Sequence, residues 1–292
     1  MIRLLGTTFA ALLGLAFGSF LNVCLSRWPQ GESIVCPRSH CRNCDHALAW
    51  WENIPLLSWL ALRGRCRNCK TPIGWRYPMV ELAVGVLWAL AAWRAINPTD
   101  ILGVSSEELP MALIALIFNL FFYWSLVALA VLDAEHLWLP NWLTWPGIVV
   151  GYLLLNLQVD LDEAVLKIGM GPSYAAASRL LEILAAAALI LLIRWTYKLI
   201  RHREGLGLGD AKLMALLAAW LGFPGALLAF GLAVLLGSAV ALAMLAQPAS
   251  PGQSKEWAAR KLPLGTFLCI GGIVSSLWGQ PIIAAYLRLS GL

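Results

Sequence analysis

The stretch 201-RHREGLGLGDAKLMALLAAWLGFPGALLAFGLAVLLGSAVALAMLA-246 opens polar and glycine-rich, carries Asp210, and then runs apolar to its end. A carboxylate at the mouth of a membrane helix is costly to keep and marks a functional position. As one helix the apolar part, 211–246, would reach about 54 Å at ~1.5 Å per residue, well beyond a bilayer core of ~30 Å. It must therefore break, and Gly222-Phe223-Pro224-Gly225 offers a tight hairpin. Outward from this stretch, the chain of 292 residues is 60% hydrophobic and only 13% charged, too apolar for a soluble domain. Further spans are expected near 4–26, 78–96, 111–132, 139–157, 175–200 and 262–287. Together these predict an all-α polytopic membrane protein of about eight transmembrane helices, the sixth short, with a small cytoplasmic zinc-binding loop domain.

The first span follows Arg3 but lacks a small-x-small cleavage site, so it is expected to be a retained helix rather than a cleaved signal. Orientation follows from basic residues in short loops. Segment 27–76 holds Arg27, Arg38, Arg42, Arg63, Arg65, Arg67, Lys70 and Arg76, whereas 97–110 holds Asp100, Glu107 and Glu108 with no Lys or Arg. The first loop is therefore expected on the cytoplasmic side, with 133–138, 198–210 and 247–261; segment 158–174 falls on the far side, as do both termini. The net charge of +5 matches this bias and gives no reason to invoke nucleic acid. The chain divides into a first helix (1–26), a polar loop (27–76) and a second membrane part (77–292).

The loop carries 36-CPRSHCRNC-44 and 66-CRNC-69. The paired knuckles Cys41/Cys44 and Cys66/Cys69 have the spacing of a four-cysteine zinc ribbon. In a reducing compartment such thiols hold metal more readily than they form disulfides. Four thiolates leave no open position for a catalytic water, so the zinc would be structural. Two redox-active pairs are the alternative, without a thioredoxin-like βαβ context to support them. Cys36 is a spare or a substitute ligand, His40 and His46 are near enough to compete, and Cys24 and Cys269 read as buried hydrophobes. Between the knuckles, 50-WWENIPLLSWLALRG-64 is amphipathic and suited to a membrane interface.

Within the membrane part, 18-GSFLNVCLSRWP-29 reads as a packing face closed by an interfacial arginine, with Asn22 the exception because an amide in hydrocarbon needs a partner or a ligand. Glu81, just inside the second span after 75-WRYPM-79, is equally hard to dismiss; Arg76 or headgroups are the simplest partners for it. Asp133 ends the third span in 130-AVLDAEHLWLPNWLT-144. Of six aspartates in the chain, only Asp133 and Asp210 fall at cytoplasmic membrane boundaries on this topology. Singly, Asp210 could be a helix N-cap and Asp133 a partner of His136 or Arg201. Together, two carboxylates within hydrogen-bond distance share one proton. Such a pair supplies a base for water and an acid for a carbonyl oxygen, which is peptide hydrolysis without metal or covalent intermediate. Gly207 and Gly209 lack side chains and leave an extended substrate room to approach. The rival reading from another class is a proton-coupled transporter, or a zinc-stabilised membrane assembly factor, in which the acids relay protons.

These motifs, in this order, resemble the type IV prepilin peptidases, bifunctional membrane aspartic proteases with a GxGD motif. The resemblance is carried by Gly207-Leu208-Gly209-Asp210 with Lys212-Leu213, Asp133 with Pro140-Asn141, the four knuckle cysteines, 18-GSFLNV-23 with Arg27 and Pro29, and Arg76-Tyr77-Pro78 with Glu81. It implies that Asp133 and Asp210 are catalytic. It further implies cleavage of prepilins or pseudopilins after a leader glycine at the cytoplasmic face of the bacterial inner membrane, serving type IV pili or type II secretion. Methylation of the new N-terminal residue, commonly phenylalanine, with S-adenosylmethionine would follow. On this resemblance, 27–76 is a methyltransferase part and 77–292 the peptidase. No Rossmann glycine fingerprint is present, so the methyl-transfer site is sought at the zinc loop, Asn22 and Glu81. Asn141 stands where many relatives carry a second aspartate, and Glu135 and Glu204 are the acidic residues nearest the expected path of a basic leader.

Overall fold

A computed structural model describes residues 1–96, 109–159, 172–202, 207–246 and 262–290. Most of the expected loops 97–110, 158–174 and 247–261, together with Glu204, lie outside the described residues. In chain order the helices are α1 (Ile2–Arg27), the short α2 (Leu57–Ala61), α3 (Arg76–Ala95), α4 (Leu109–His136), α5 (Asn141–Val159), α6 (Pro172–Arg201), α7 (Leu208–Ala246) and α8 (Leu264–Ser290). Six of these, α1, α3, α4, α6, α7 and α8, are long and apolar enough to cross a membrane. With α5, and with α7 counted as two halves on either side of Gly222, the eight segments expected to span all fall on helices.

The chain forms two compact units, Met1–Ala128 and Leu129–Leu292. In the first, α1 packs along α3, and small residues set how closely. A Cβ on Gly18 would lie 2.7 Å from Glu81 Cα, and one on Gly14 would lie 2.9 Å from Trp88 Cβ. Without those side chains the two backbones approach closely, which is how membrane helices gain contact where lipid competes for apolar surface. The packing expected of Gly18 is thus present, and Ser19, the next residue, turns its hydroxyl to Glu81 of α3.

In the second unit α7 lies against α8, α6 and α5. Its expected break falls at Gly222, where φ 71° and ψ 171° take the backbone out of the helix. Glycine meets this positive φ without a Cβ penalty. Pro224 then stands in the first turn of the second half, where a missing N–H costs nothing. The Phe223 N–H exposed by the break donates to Glu182 Oε2 of α6 at 2.9 Å, satisfying a backbone donor that hydrocarbon would leave stranded. Ser275 of α8 likewise donates to the Gly225 carbonyl at 2.8 Å. Trp220 Nε1 donates to the Gly147 carbonyl of α5 at 2.9 Å.

Candidate functional site

Four acidic side chains are buried among the described residues: Glu52 and Glu81 in the first unit, Asp133 and Asp210 in the second. Burying a carboxylate is expensive unless something holds it, and each of the four is held differently.

Asp210 is the third residue of α7, and its Oδ2 accepts the Gly207 N–H at 3.0 Å. It is not the N-cap considered from sequence. It reaches back from the third helical position to the residue before the helix, the carboxylate half of a capping box. Gly207 therefore serves as a backbone donor to Asp210. The space at Gly209 is taken by Leu139, since a Cβ there would come within 3.0 Å of Leu139 Cδ1.

Asp133 sits in the last turn of α4. Its Oδ2 accepts the Thr266 N–H at 2.7 Å and lies 3.2 Å from the Thr266 hydroxyl, which also faces the Ala130 carbonyl at 2.9 Å. The N-terminus of α8, a natural anion site, thus grips Asp133. Gly265 makes this grip possible, because a Cβ there would fall 2.9 Å from Asp133 Cγ. His136 lies 3.9 Å from Glu135 Oε2, so the pairing of Asp133 with His136 or Arg201 gives way to Thr266. Asp133 and Asp210 are only 5% and 8% exposed and are near enough for the charge on one to act on the other. Lys212, one turn into α7, donates to Asn141 Oδ1 at 2.5 Å and ties the start of α7 to the start of α5.

Sequence reasoning missed Gly265 and Thr266. The segment 262-LPLGTF-267, at the start of the last helix, clasps a carboxylate. A threonine three residues into a helix, after glycine and in a chain with an unmatched buried aspartate, was the available signal.

In the first unit the four knuckle sulfurs lie within 4.8 Å of one another. Cys41 Sγ is 3.8 Å from Cys69 Sγ, and Cys44 Sγ is 4.0 Å from Cys66 Sγ. A tetrahedral Zn²⁺ with Zn–S of about 2.3 Å requires sulfurs about 3.8 Å apart, so the donor set fits the metal. The two knuckles repeat one another: Cys41 N–H bonds the His46 carbonyl and Cys66 N–H the Thr71 carbonyl, both at 2.9 Å. Asp45 and Lys70 take positive φ at the equivalent place. Each knuckle's asparagine reaches the other's second cysteine, Asn43 to Cys69 Sγ at 3.6 Å and Asn68 to Cys44 Sγ at 3.7 Å. The Thr71 hydroxyl and N–H, with the Asn43 amide, draw the Cys69 thiol below its ordinary range. Cys36 is exposed and lies outside this cluster, as do His40 and His46, while Cys24 and Cys269 are buried.

Behind the knuckles lies a cavity of about 310 Å³, at the small end of the range for ligand pockets. Asn22 and Glu81, singled out separately from sequence, both line it, together with Ser19, Ser26, Arg27 and Glu52. Positions 19, 22/23 and 26/27 share one face of α1 at helical spacing, a polar stripe in an otherwise apolar span. Glu81 Oε2 accepts the Leu56 N–H at 2.8 Å, and the Ser19 hydroxyl is its second partner, whereas Arg76 lies over the Tyr77 ring. Glu52 closes a short turn, its Oε2 accepting the Ala49 N–H at 2.9 Å with His46 Nε2 at 3.3 Å. These bonds, the Ala49 N–H first, hold the Glu52 carboxyl below its ordinary range. Glu52 was not foreseen as a lining residue; its place in a tryptophan-rich amphipathic run disguised it.

Comparison with known proteins assigns the chain to a family at this point. Residues 12–95 match the bacterial peptidase A24 N-terminal domain and residues 120–242 match the type IV leader peptidase family. A prepilin leader peptidase/N-methyltransferase of Stutzerimonas stutzeri is 33% identical over 97% of this chain and 94% of its own length. The chain belongs to the type IV leader peptidase family. The Pseudomonas aeruginosa protein of the same description is 32% identical over 96% of the chain and 93% of its own length. The one from Myxococcus xanthus is 38% identical over 85% of the chain and 66% of its own length. No solved structure matches the chain. The two matched regions carry the two candidate sites, the cavity with its knuckles in 12–95 and both buried aspartates in 120–242.

Proposed function

We propose that this family member cleaves the leader of type IV prepilins or pseudopilins with Asp133 and Asp210, then methylates the new N-terminal amine in the cavity behind the knuckles. The observation that carries the proteolytic reading is the burial of Asp133 and Asp210 in one unit, within electrostatic reach of each other. One carboxylate takes a proton from water, the resulting hydroxide attacks the scissile carbonyl carbon, and the other acid protonates the carbonyl oxygen. Proton return to the leaving amine frees the leader and a neutral α-amine. Thr266 and Gly207 keep one oxygen of each carboxylate occupied, fixing the orientation of the other. We place this chemistry on the cytoplasmic face of the bacterial inner membrane, where the basic loop 27–76 favours that side.

For the second step the fit rests on the cavity's own polar atoms: Asn22 Oδ1 is buried without a partner, and the lining carries both signs, Glu32, Glu52 and Glu81 with Arg27, Arg42 and Arg67, which suits a donor whose amino-acid end is itself zwitterionic. S-adenosylmethionine, when bound, supplies an electrophilic methyl group. Asn22 and Glu81 would orient donor and amine, and a lining carboxylate would receive the proton the amine gives up. Zn²⁺ on Cys41, Cys44, Cys66 and Cys69 would fix the cavity wall and take no part in the reaction. On this reading 27–76, backed by α1 and α3, is the methyltransferase part, and 77–292 contains the peptidase.

The test is co-expression with a prepilin and mass analysis of the product. Asp133→Asn and Asp210→Asn should each abolish leader removal at unchanged protein level and membrane insertion. Normal processing by either variant would remove the aspartate mechanism, and full cleavage without a methylated product in the wild type would remove the second activity.

A further inference from the structure

Two residues that line the same cavity each keep a buried side-chain oxygen with no hydrogen bond. Asn22 is 2% exposed, its Nδ2 is spent on the Tyr77 carbonyl at 2.9 Å, and its Oδ1 has no partner. The Glu52 side chain is 3% exposed, its Oε2 is spent on Ala49 and His46, and its Oε1 has no hydrogen bond. The nearest cation to Oε1 is Arg67 Nη1 at 4.0 Å, from a side chain 58% exposed. Both free oxygens are fixed by what their neighbouring atoms do. Turning the Asn22 amide would set its oxygen against the Tyr77 carbonyl, and turning the Glu52 carboxylate would only exchange identical atoms. A buried acceptor left unmade is costly, and two at one cavity call for a ligand that brings several N–H donors.

We propose that Glu52 Oε1 and Asn22 Oδ1 form the seat for a primary ammonium group. It rests on the reading of the cavity as the methyl-transfer site, and two groups there share this chemistry: the amino-acid end of the methyl donor and the α-amine of the cleaved pilin. A sulfonium centre has charge but no N–H, so it leaves both acceptors unmade. An anion such as a carboxylate brings further acceptors and leaves both oxygens unmade. An ammonium offers three donors and the complementary charge, and bonds between ionised partners are about twice as strong as neutral ones. Glu52→Gln inverts the seat without emptying it. The Ala49 N–H and His46 demand the amide oxygen at the Oε2 position, so the NH₂ must face the cavity and repel an ammonium.

The full chain in lipid nanodiscs is titrated by calorimetry with S-adenosylhomocysteine, with its analogue lacking the α-amino group, and with a synthetic mature pilin N-terminal peptide, free or N-acetylated. Wild type and Glu52→Gln are compared after matching their bound metal and melting temperature. If the donor fills the seat, deleting the amino group weakens binding to the wild type by about tenfold or more and has little effect in Glu52→Gln. If the pilin amine fills it, the same coupling is found between Glu52 and the peptide's free amine, and the two nucleoside ligands bind alike. Both results support an ammonium seat and identify its occupant. Equal losses in wild type and variant for every ligand pair overturn it. The comparison of free and blocked ligands on the wild type alone needs no variant to fold, and absence of any amine dependence there also overturns it. Failure of the wild type to bind S-adenosylhomocysteine and both peptides would instead reject the cavity as the methyl-transfer site, and the seat with it.

Discussion

Gly265→Ala tests whether the clasp on Asp133 sets the geometry of the peptidase. The added methyl would arrive 2.9 Å from both Asp133 Cγ and Oδ2, closer than carbon atoms tolerate. The Gly265 backbone is held by the start of α8, whose next N–H already bonds the same carboxylate at 2.7 Å. Relief must come from the carboxylate, which swings off by several tenths of an ångström to about 1 Å. Displacements of that size cost on the order of a hundredfold in rate when they misplace a catalytic group. Overpacking of a tight site costs about 1–3 kcal/mol in stability, so the protein should still fold and insert. Gly231→Ala serves as the control, because a Cβ there meets nothing within 4 Å. Leader cleavage is followed by mass of the product over time for both variants and for the wild type. Methyl transfer to a synthetic mature N-terminal peptide is measured on the same preparations. The expected result is cleavage down about a hundredfold for Gly265→Ala, unchanged for Gly231→Ala, and methyl transfer retained by both. Cleavage by Gly265→Ala at the wild-type rate would refute the claim that Asp133 must sit where α8 holds it.

Thr266→Val removes the hydroxyl but keeps the N–H bond to Asp133; one shared hydrogen bond is worth ~1 kcal/mol, so cleavage should fall only several-fold, and a loss as large as that of Asp133→Asn would contradict this division of labour. Cys66→Ser should release the bound metal and lower the melting temperature, checked by elemental analysis and thermal unfolding; a wild-type protein purified folded and active without metal would count against the four-sulfur site. Gly18→Ala would put a methyl 2.7 Å from Glu81 Cα and force α1 from α3, with ~1–3 kcal/mol lost and weaker donor binding by calorimetry.

Much of the fold was legible because hydrocarbon imposes length and apolarity on any helix that spans it. The break at Gly222 was readable for the same reason, since a largely apolar run of 36 residues, 211–246, overruns one span. The knuckles were legible because metal geometry fixes cysteine spacing. What escaped were groups defined by a partner far along the chain. Thr266 matters through Asp133, 133 positions away. Glu81 and Asn22 stood out singly, but their meeting with each other, with Glu52 and with the Leu56 N–H did not, because nothing local announces it. Even Gly207 and Gly209 were assigned a role from composition, as room for substrate. In the structure the Gly207 N–H donates to Asp210 and Leu139 packs against Gly209, contacts that composition does not announce.

Among the described residues, both aspartates with their clasps lie in Leu129–Leu292 and the cavity with its knuckles in Met1–Ala128. No side chain that holds a carboxylate of the pair also lines the cavity. Lesions in one site should therefore leave the other's chemistry intact on a substrate supplied to it ready-made. Their order in the cell is still fixed, because the amine to be methylated is an amide nitrogen until the leader bond is hydrolysed, and an amide nitrogen lacks the lone-pair availability to attack. A peptidase-dead protein should thus methylate a synthetic mature N-terminus and leave the uncut prepilin unmodified. That result would assign the sequence of events to the substrate's own chemistry, with no signal needed between the units.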